Sequence, residues 1–210
     1  MSGLDQESWQ AEFALRDSER ESLIVAVKSE ETVCVGIHVE GNLSKKLNLS
    51  FKINQYIGVI FAGHRADSQQ IIEYSRNEAL KFYQNHNSDI NIQNLVKIIA
   101  NFYQYPSQFL NKRIFGCVSI VFGVDSKESC IYVIRPSGVY NSFKYFTIGK
   151  KNEKANEYLD HYYEENLGFN DLINLTLKSM NIRLICINSS NNTLKECSNE
   201  VIDTHLKRLE

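Results

Sequence analysis

Histidine is the side chain most often used for acid–base catalysis and metal binding near neutral pH. The sequence has five histidines, at His38, His64, His86, His161 and His205. None belongs to an H-E-x-x-H zinc motif, and no G-x-S-x-G nucleophile motif accompanies them. The sequence also lacks a phosphate-binding G-x-x-x-x-G-K-S/T loop and a dinucleotide-binding G-x-G-x-x-G motif. We therefore predict no metal site and no cofactor.

The cysteines do not form a metal-binding or disulfide pattern. There are five of them, an odd number, and no two stand in a C-x-x-C arrangement. Cys34 and Cys186 lie within apolar runs, which is typical of buried free thiols in a reducing compartment. The pattern favours free thiols over a disulfide framework or a zinc site.

The composition indicates one globular domain spanning residues 1–210. The chain is 43% hydrophobic with a net charge of -2, enough for one filled core and without the basic excess of a nucleic-acid-binding protein. The N-terminus has no basic region followed by an apolar one, and no apolar run approaches the roughly 20 residues of a membrane helix. We expect a protein of the cytoplasm and nucleus with no membrane or nucleic-acid partner.

Hydrophobic periodicity predicts helices and strands in separate groups. A first helix is expected over residues 7–20, with Trp9 and Phe13 on one face. Four strands follow, at 23–27, 32–39, 47–53 and 57–62. The period then changes from two to 3.6, which predicts a helix over 66–86 and a second helix that Asn91 caps and that runs to 102.

The second half of the chain repeats this grouping. Strands are expected at 115–123, 130–135 and 139–148, helices at 152–165 and 170–180, strands at 182–187 and 193–196, and a last helix at 199–209. Strict alternation of strand and helix would indicate a parallel sheet. Grouped elements instead predict an α+β fold, with antiparallel sheets covered by paired helices.

Several short segments, in this order and spacing, resemble the α-ring subunits of the 20S proteasome. The segments are Gln10-Ala11-Glu12-Phe13-Ala14, Lys52-Ile53, Ala62-Gly63-His64-Arg65-Ala66-Asp67, Arg76-Asn77-Glu78-Ala79, Arg113-Ile114-Phe115-Gly116-Cys117, Gly123-Val124-Asp125, Pro136-Ser137-Gly138 and Ile148-Gly149. The resemblance implies the four-layer αββα sandwich of N-terminal-nucleophile hydrolases, with two antiparallel sheets between helix pairs. Residues 7–20 would form the N-terminal helix of α subunits, and residues 22–210 the αββα core.

The same resemblance implies that the chain has no catalytic residues. Catalytic β subunits use an N-terminal threonine, whose hydroxyl attacks the peptide bond and whose free amine is the base. Ser22 aligns near that position but follows the N-terminal helix, so it has no free amine. The alternative is a processed threonine hydrolase with Thr32 as nucleophile, because residues 32–37 resemble the start of a mature β subunit. Glu31 precedes Thr32 where a glycine is usual, and Lys52 lies too close in sequence, so we predict a non-catalytic subunit.

The resemblance also implies partners and site residues. We expect a seven-membered ring with other α subunits, contacts with β subunits, and binding of regulatory particles by their C-terminal carboxylates. Lys52, Gly63 and Glu12 would form the pocket for these C-termini, where a charge-assisted hydrogen bond from the lysine is worth about 1.5–3 kcal/mol. The residues expected at subunit interfaces are Trp9, Gln10, Phe13, Tyr74, Phe82 and Tyr83.

Overall fold

Two five-stranded antiparallel sheets form the centre of the molecule. The structure, a computed structural model, describes residues 3–38, 50–108, 112–125, 128–180, 184–190 and 193–196. The strands are β1 (Ile24–Lys28), β2 (Val33–His38), β3 (Ser50–Lys52), β4 (Ile57–Gly63), β5 (Cys117–Asp125), β6 (Glu128–Ile134), β7 (Tyr140–Ser142), β8 (Tyr145–Ile148), β9 (Leu184–Ser190) and β10 (Thr193–Glu196). One sheet has the order β10-β9-β2-β1-β8, and the other has the order β3-β4-β5-β6-β7.

Five α-helices surround the sheets in the described part of the chain. They are α1 (Gly3–Glu19), α2 (Arg65–His86), α3 (Ile92–Gln104), α4 (Asn152–Tyr162) and α5 (Phe169–Met180), and a 3-10 turn at Tyr105–Gln108 follows α3. The Asn91 side chain accepts a hydrogen bond from the Asn94 N–H at 2.8 Å, so the predicted cap of α3 is confirmed. The predicted helix at 199–209 lies outside the described residues.

Three apolar clusters hold four layers together. The cluster between the sheets includes Ile24, Val35, Ile60, Ile120 and Phe122. A second cluster joins the sheet of β4 and β5 to α2 and α3, and a third joins the sheet of β1 and β2 to α4 and α5. Both faces of each sheet are therefore buried. This arrangement confirms the predicted αββα sandwich.

The segment 139–148 is not one strand, as the sequence pattern predicted, but two strands in different sheets. β7 pairs with β6, whereas β8 pairs with β1 in the other sheet. The chain crosses at Phe143, whose N–H donates to the Ile131 carbonyl, and at Lys144, whose carbonyl accepts from the Lys28 N–H. The ring of Phe143 lies 5.2 Å from that of Phe146 at this crossing. The sequence pattern does not show the change of sheet because both strands have the same period of two.

Tyr103 is a fully buried polar side chain of α3 with partners on β5. Its hydroxyl contacts the Ser119 Oγ at 2.7 Å and the Cys117 Sγ at 3.2 Å. Burial raises the pKa of the Tyr103 hydroxyl well above its usual value, and burial also raises the pKa of the Cys117 thiol to about 12. Both groups are therefore protonated at neutral pH, and they serve as hydrogen-bonding groups between helix and sheet.

We predict that Tyr103→Phe lowers the free energy of unfolding by about 1–2 kcal/mol, because the substitution leaves the buried Ser119 hydroxyl without this partner. Urea unfolding monitored by circular dichroism measures the change. Tyr140→Phe is the control, since Tyr140 lies at the surface. Equal stability of the Tyr103→Phe variant and the unaltered chain would contradict the assignment.

Candidate functional site

The N-terminal helix α1 packs on the ends of β4 and β5 through a narrow face. Ser18 is buried and Ala11, Ala14 and Leu15 are half-buried, a spacing that places all four on one side of the helix. Small side chains on this face allow a close approach of the helix to the sheet. Over residues 9–19, whose burial is described, the helix therefore adds little apolar burial of its own, and its position depends on the shape of the surface beneath it.

The opposite face of α1 presents aromatic side chains to solvent. Trp9 is 56% exposed and Phe13 is 58% exposed, and their ring centroids lie 6.2 Å apart. Two large adjacent aromatic side chains at the surface are typical of residues that anchor a protein interface. We call this pair the aromatic patch of α1.

Gly63 forms the surface on which α1 rests. Its φ angle of +116° lies in a region that side chains with a β-carbon rarely adopt. A β-carbon at this position would stand 2.8 Å from the Ser18 Oγ and would clash with the Gly116 carbonyl oxygen. Glycine is therefore required at position 63 both for the backbone conformation and for contact with α1.

A buried carboxylate organises the backbone next to Gly63. Asp67, in the first turn of α2, accepts hydrogen bonds from Arg113 Nη1 at 2.9 Å and Nη2 at 2.6 Å, and from the Gly116 N–H at 2.7 Å. Burial by itself raises the pKa of Asp67, but the hydrogen bonds from Arg113 and Gly116 outweigh it, and the net pKa is lowered. The carboxylate is therefore ionised at neutral pH and holds the segment before β5 against α2.

These residues surround a cavity of about 440 Å³ between α1 and the body of the domain. Phe13 and Ile114 supply apolar walls, and Arg20 and Arg113 supply positive charge. Asp17 and Glu21 supply negative charge, so the cavity has mixed polarity. The chemistry fits a segment of protein chain with both apolar and charged groups. In the described part of the chain, no group of three or more His, Cys, Asp or Glu side chains could hold a metal ion.

The structure does not bring the predicted pocket residues together within one chain. Gly63 lines the cavity, and Glu12 is exposed on α1. Lys52 pairs with Gly58 on β4, whereas Gly63 is at the other end of that strand. At roughly 3.3 Å per residue, the two positions on β4 are about 17 Å apart. The exposed Lys52 therefore lies at a different edge of the molecule from Gly63.

The ion pair between Asp67 and Arg113 was not predicted from the sequence. Both residues were visible only as members of short family segments, and neither was predicted as a site residue. An acidic residue at a helix start and an arginine just before a strand were the available signals. Their pairing across 46 positions follows only from the packing of α2 beside β5.

A family model for proteasome subunits matches residues 21–195 of the chain. The chain belongs to the proteasome subunit family. It is 27% identical over 180 residues to the proteasome subunit alpha of Halobacterium salinarum, covering 82% of this chain and 70% of the relative. It is likewise 27% identical over 180 residues to the proteasome subunit alpha of Saccharolobus islandicus, covering 84% of this chain and 75% of the relative. These similarities support a proteasome subunit of the α type.

The structure gives the predicted interface residues different exposures. Gln10 and Tyr83 are exposed, like the aromatic patch of α1. Tyr74 instead stacks on Phe102 with ring centroids 4.0 Å apart, and the half-buried Phe82 packs against the core beneath α2. Tyr74 and Phe82 thus have substantial packing within the chain, whereas Gln10 and Tyr83 present more of their side chains to the surface.

Thr32 is an internal residue in the fold of this proteasome subunit. Thr32 is buried between β1 and β2, and its carbonyl accepts a hydrogen bond from the Ser29 N–H at 2.8 Å. Cleavage before Thr32 would remove β1, which pairs with β2 on one side and with β8 on the other. Ser22 lines a second cavity of about 380 Å³. It is joined to Glu21 by a peptide bond, so its nitrogen is an amide and cannot act as a base.

We predict that Asp67→Asn lowers the free energy of unfolding at pH 7 by about 1–3 kcal/mol, because it weakens charged hydrogen bonds to a buried group. The folded pKa of Asp67 is lowered, so its stabilising contribution is present above the unfolded pKa and is lost as the pH falls through the folded one. The difference between the variant and the unaltered chain should therefore begin to shrink near the ordinary value of 3.8 and disappear only below the lowered folded pKa. Urea unfolding at a series of pH values measures it.

Glu165→Gln is the matched control for this prediction. Glu165 pairs with Lys144, but both side chains are largely exposed, and exposed ion pairs contribute little to stability. A constant difference between the Asp67→Asn variant and the unaltered chain from pH 7 to pH 2 would show that the ionised form of Asp67 is not the stabilising one.

Proposed function

We propose that the protein is a non-catalytic α subunit of the 20S proteasome core particle that forms a seven-membered outer ring with other α subunits. In this role it docks the β ring and binds the C-termini of regulatory particles for ubiquitin- and ATP-dependent protein degradation in the cytoplasm and nucleus. The observation that carries the proposal is the aromatic patch of α1. Trp9 and Phe13 lie exposed on a helix that packs against the ends of β4 and β5.

We further propose that the chain occupies the ring position of proteasome subunit alpha type-6. Three segments support this choice. They are Ala66-Asp67-Ser68, the segment from Gly138 to Lys144, and Ile202-Asp203-Thr204-His205-Leu206, of which the last lies outside the described residues. The segment from Gly138 to Lys144 contains β7 and the crossing between the sheets. Its conformation therefore affects both sheets of the subunit.

The proposed ring contact uses α1 as the projecting surface. A neighbouring subunit would cover Trp9 and Phe13, and burial of two large aromatic side chains supplies a large part of the binding energy of a typical interface. The narrow face of α1 remains against Gly63 and Gly116 in this arrangement. One helix thus serves both its own domain and the next subunit.

The proposed regulator pocket lies between neighbouring subunits. Because Lys52 and Gly63 are at opposite ends of β4, the pocket would take Lys52 from one subunit and Gly63 with Glu12 from the other. The exposed side chain of Lys52 is suited to this role, since its ammonium group can reach a carboxylate on a separate chain. The Lys52 backbone is held in place by Arg76, whose Nη2 donates to the Lys52 carbonyl at 3.1 Å.

We predict that the double substitution Trp9→Ala and Phe13→Ala prevents entry into the particle while the domain stays folded. Loss of two interface aromatics should weaken assembly by about 1,000-fold, since such residues contribute roughly 2 kcal/mol each. Native mass spectrometry of the particle measures incorporation, and circular dichroism checks the fold.

Tyr162→Ala is the control for assembly, because Tyr162 is equally exposed but lies on α4. A complete particle that contains the Trp9→Ala, Phe13→Ala chain in normal amount would refute the proposed contact. Recovery of the unaltered chain only as a 24.2 kDa monomer in cells that contain proteasomes would refute the proposed function itself.

We predict that Lys52→Ala in the assembled particle weakens binding of a regulatory-particle C-terminal peptide by about tenfold, the value of one charge-assisted hydrogen bond. Fluorescence anisotropy with a labelled peptide measures the affinity. The same peptide with an amidated C-terminus should bind both particles equally weakly. Lys154→Ala, on the exposed surface of α4, is the control. Unchanged affinity after Lys52→Ala would remove Lys52 from the pocket.

A further inference from the structure

A continuous path of contacts links the buried side of α1 to the carboxylate of Asp67. Ser18 stands against Gly63 so closely that position 63 has no room for a β-carbon. Gly63 stands against the carbonyl of Gly116, and the Gly116 N–H donates to Asp67 at 2.7 Å. Between Ser18 and Asp67 every link is glycine or backbone. The two side chains at its ends are both held by hydrogen bonds, the Ser18 hydroxyl to the Ala14 carbonyl at 2.9 Å and the Asp67 carboxylate to Arg113 and Gly116.

The backbone of this path is hydrogen-bonded in both directions. The Gly116 carbonyl accepts from the His64 N–H at 2.8 Å, while the Gly116 N–H is held by Asp67. Arg113 donates hydrogen bonds to both carboxylate oxygens of Asp67 and also donates to the Ile114 carbonyl at 3.4 Å. The bidentate geometry fixes the orientation of the carboxylate as well as its position. One ion pair thus determines where the segment 113–116 lies.

We propose that the ion pair of Asp67 and Arg113 is a positioning latch for α1. The pair holds Gly116 and Gly63 in the arrangement that receives Ser18, and so sets the angle at which the helix leaves the domain. Its biological consequence rests on the proposed function, because the angle of α1 decides where Trp9 and Phe13 meet a neighbouring subunit. The latch itself is a property of the single chain.

The effect of the latch on α1 can be distinguished from its effect on the sheets. The Arg113 side chain is 66% exposed, while that of Asp67 is 3% exposed, so removal of the guanidinium group opens no void in the core. β4 and β5 keep seven residue pairs, from Ile57 with Gly123 to Gly63 with Cys117. Loss of Arg113 deprives the buried Asp67 carboxylate of its ion-pair partner and lowers the overall stability. Because the pairing of β4 with β5 does not itself use Arg113, we expect α1 to loosen more than these two strands.

Hydrogen exchange of the full-length chain, followed by mass spectrometry, tests the latch. In Arg113→Met we expect the exchange of residues 9–19 to accelerate about tenfold more than that of β4 and β5, because local opening of α1 becomes easier whereas the strands report only the loss of overall stability. Arg113→Lys keeps the charge but cannot form the bidentate hydrogen bonds, so residues 9–19 should be partly protected from exchange in this variant. Asp67→Asn should act in the same direction as Arg113→Met.

Lys144→Met is the matched control, since it also removes a surface cation from an ion pair but lies away from α1. Unchanged exchange in residues 9–19 of Arg113→Met would overturn the latch. Equal acceleration in α1, β4 and β5 would also overturn it, because the pair would then support the whole domain. If Asp67→Asn does not fold, the two Arg113 variants decide the question.

The latch and the proposed function fail in different ways. Faster exchange of α1 in Arg113→Met, together with a chain that never enters a ring, supports the latch and refutes the proposed function. Normal exchange together with full incorporation of the unaltered chain refutes the latch alone. If the latch and the proposed function are both correct, the Arg113→Met variant should enter the particle less readily than the Lys144→Met variant. Incorporation of the Arg113→Lys variant should be intermediate.

Discussion

The buried carboxylate of Asp67 is the constraint on which the N-terminal side of the structure depends. It accepts a bidentate pair of hydrogen bonds from Arg113 and a third hydrogen bond from the backbone N–H of Gly116. A buried charge is tolerated only when its oxygens are hydrogen-bonded, so the surrounding backbone has little freedom to move. This one carboxylate joins the start of α2 to the segment before β5. The surface at Gly63 and Gly116 that contacts α1 lies next to it. Among the α1 residues whose burial is described, Ser18 alone is buried, and Leu15 packs against the cluster between the sheets.

The four layers have an independent source of stability. Apolar side chains fill the space between the sheets and on both outer faces, and paired helices cover each face. Within this sandwich Ser22 is an internal residue beside a small cavity. In the proposed function this sandwich is the scaffold, and α1 and the strand ends are the surfaces that meet other chains.

Much of the fold could be predicted from the sequence because its signals are local. The change of period near residue 66 indicated α2, and Asn91 indicated the start of α3. The crossing at Phe143 and Lys144 could not be predicted, because it depends on pairing with β6 and β1, which are remote in the chain. The site shows the same division. Trp9 and Phe13 were visible from helical spacing, whereas the pairing of Asp67 with Arg113 and the separation of Lys52 from Gly63 follow from tertiary packing.

The strand order has a consequence for the timing of folding during synthesis. β1 and β2 emerge early from the ribosome, but their neighbours in the sheet, β8 and β9, belong to the last third of the chain. Both outer edges of the β1–β2 hairpin therefore remain unpaired while the whole of the other sheet is translated. Long-range pairing of this kind is slow, and unpaired edges attract other strands. A nascent chain of this type needs shielding, and its demand for chaperones should end only when the C-terminal strands are released.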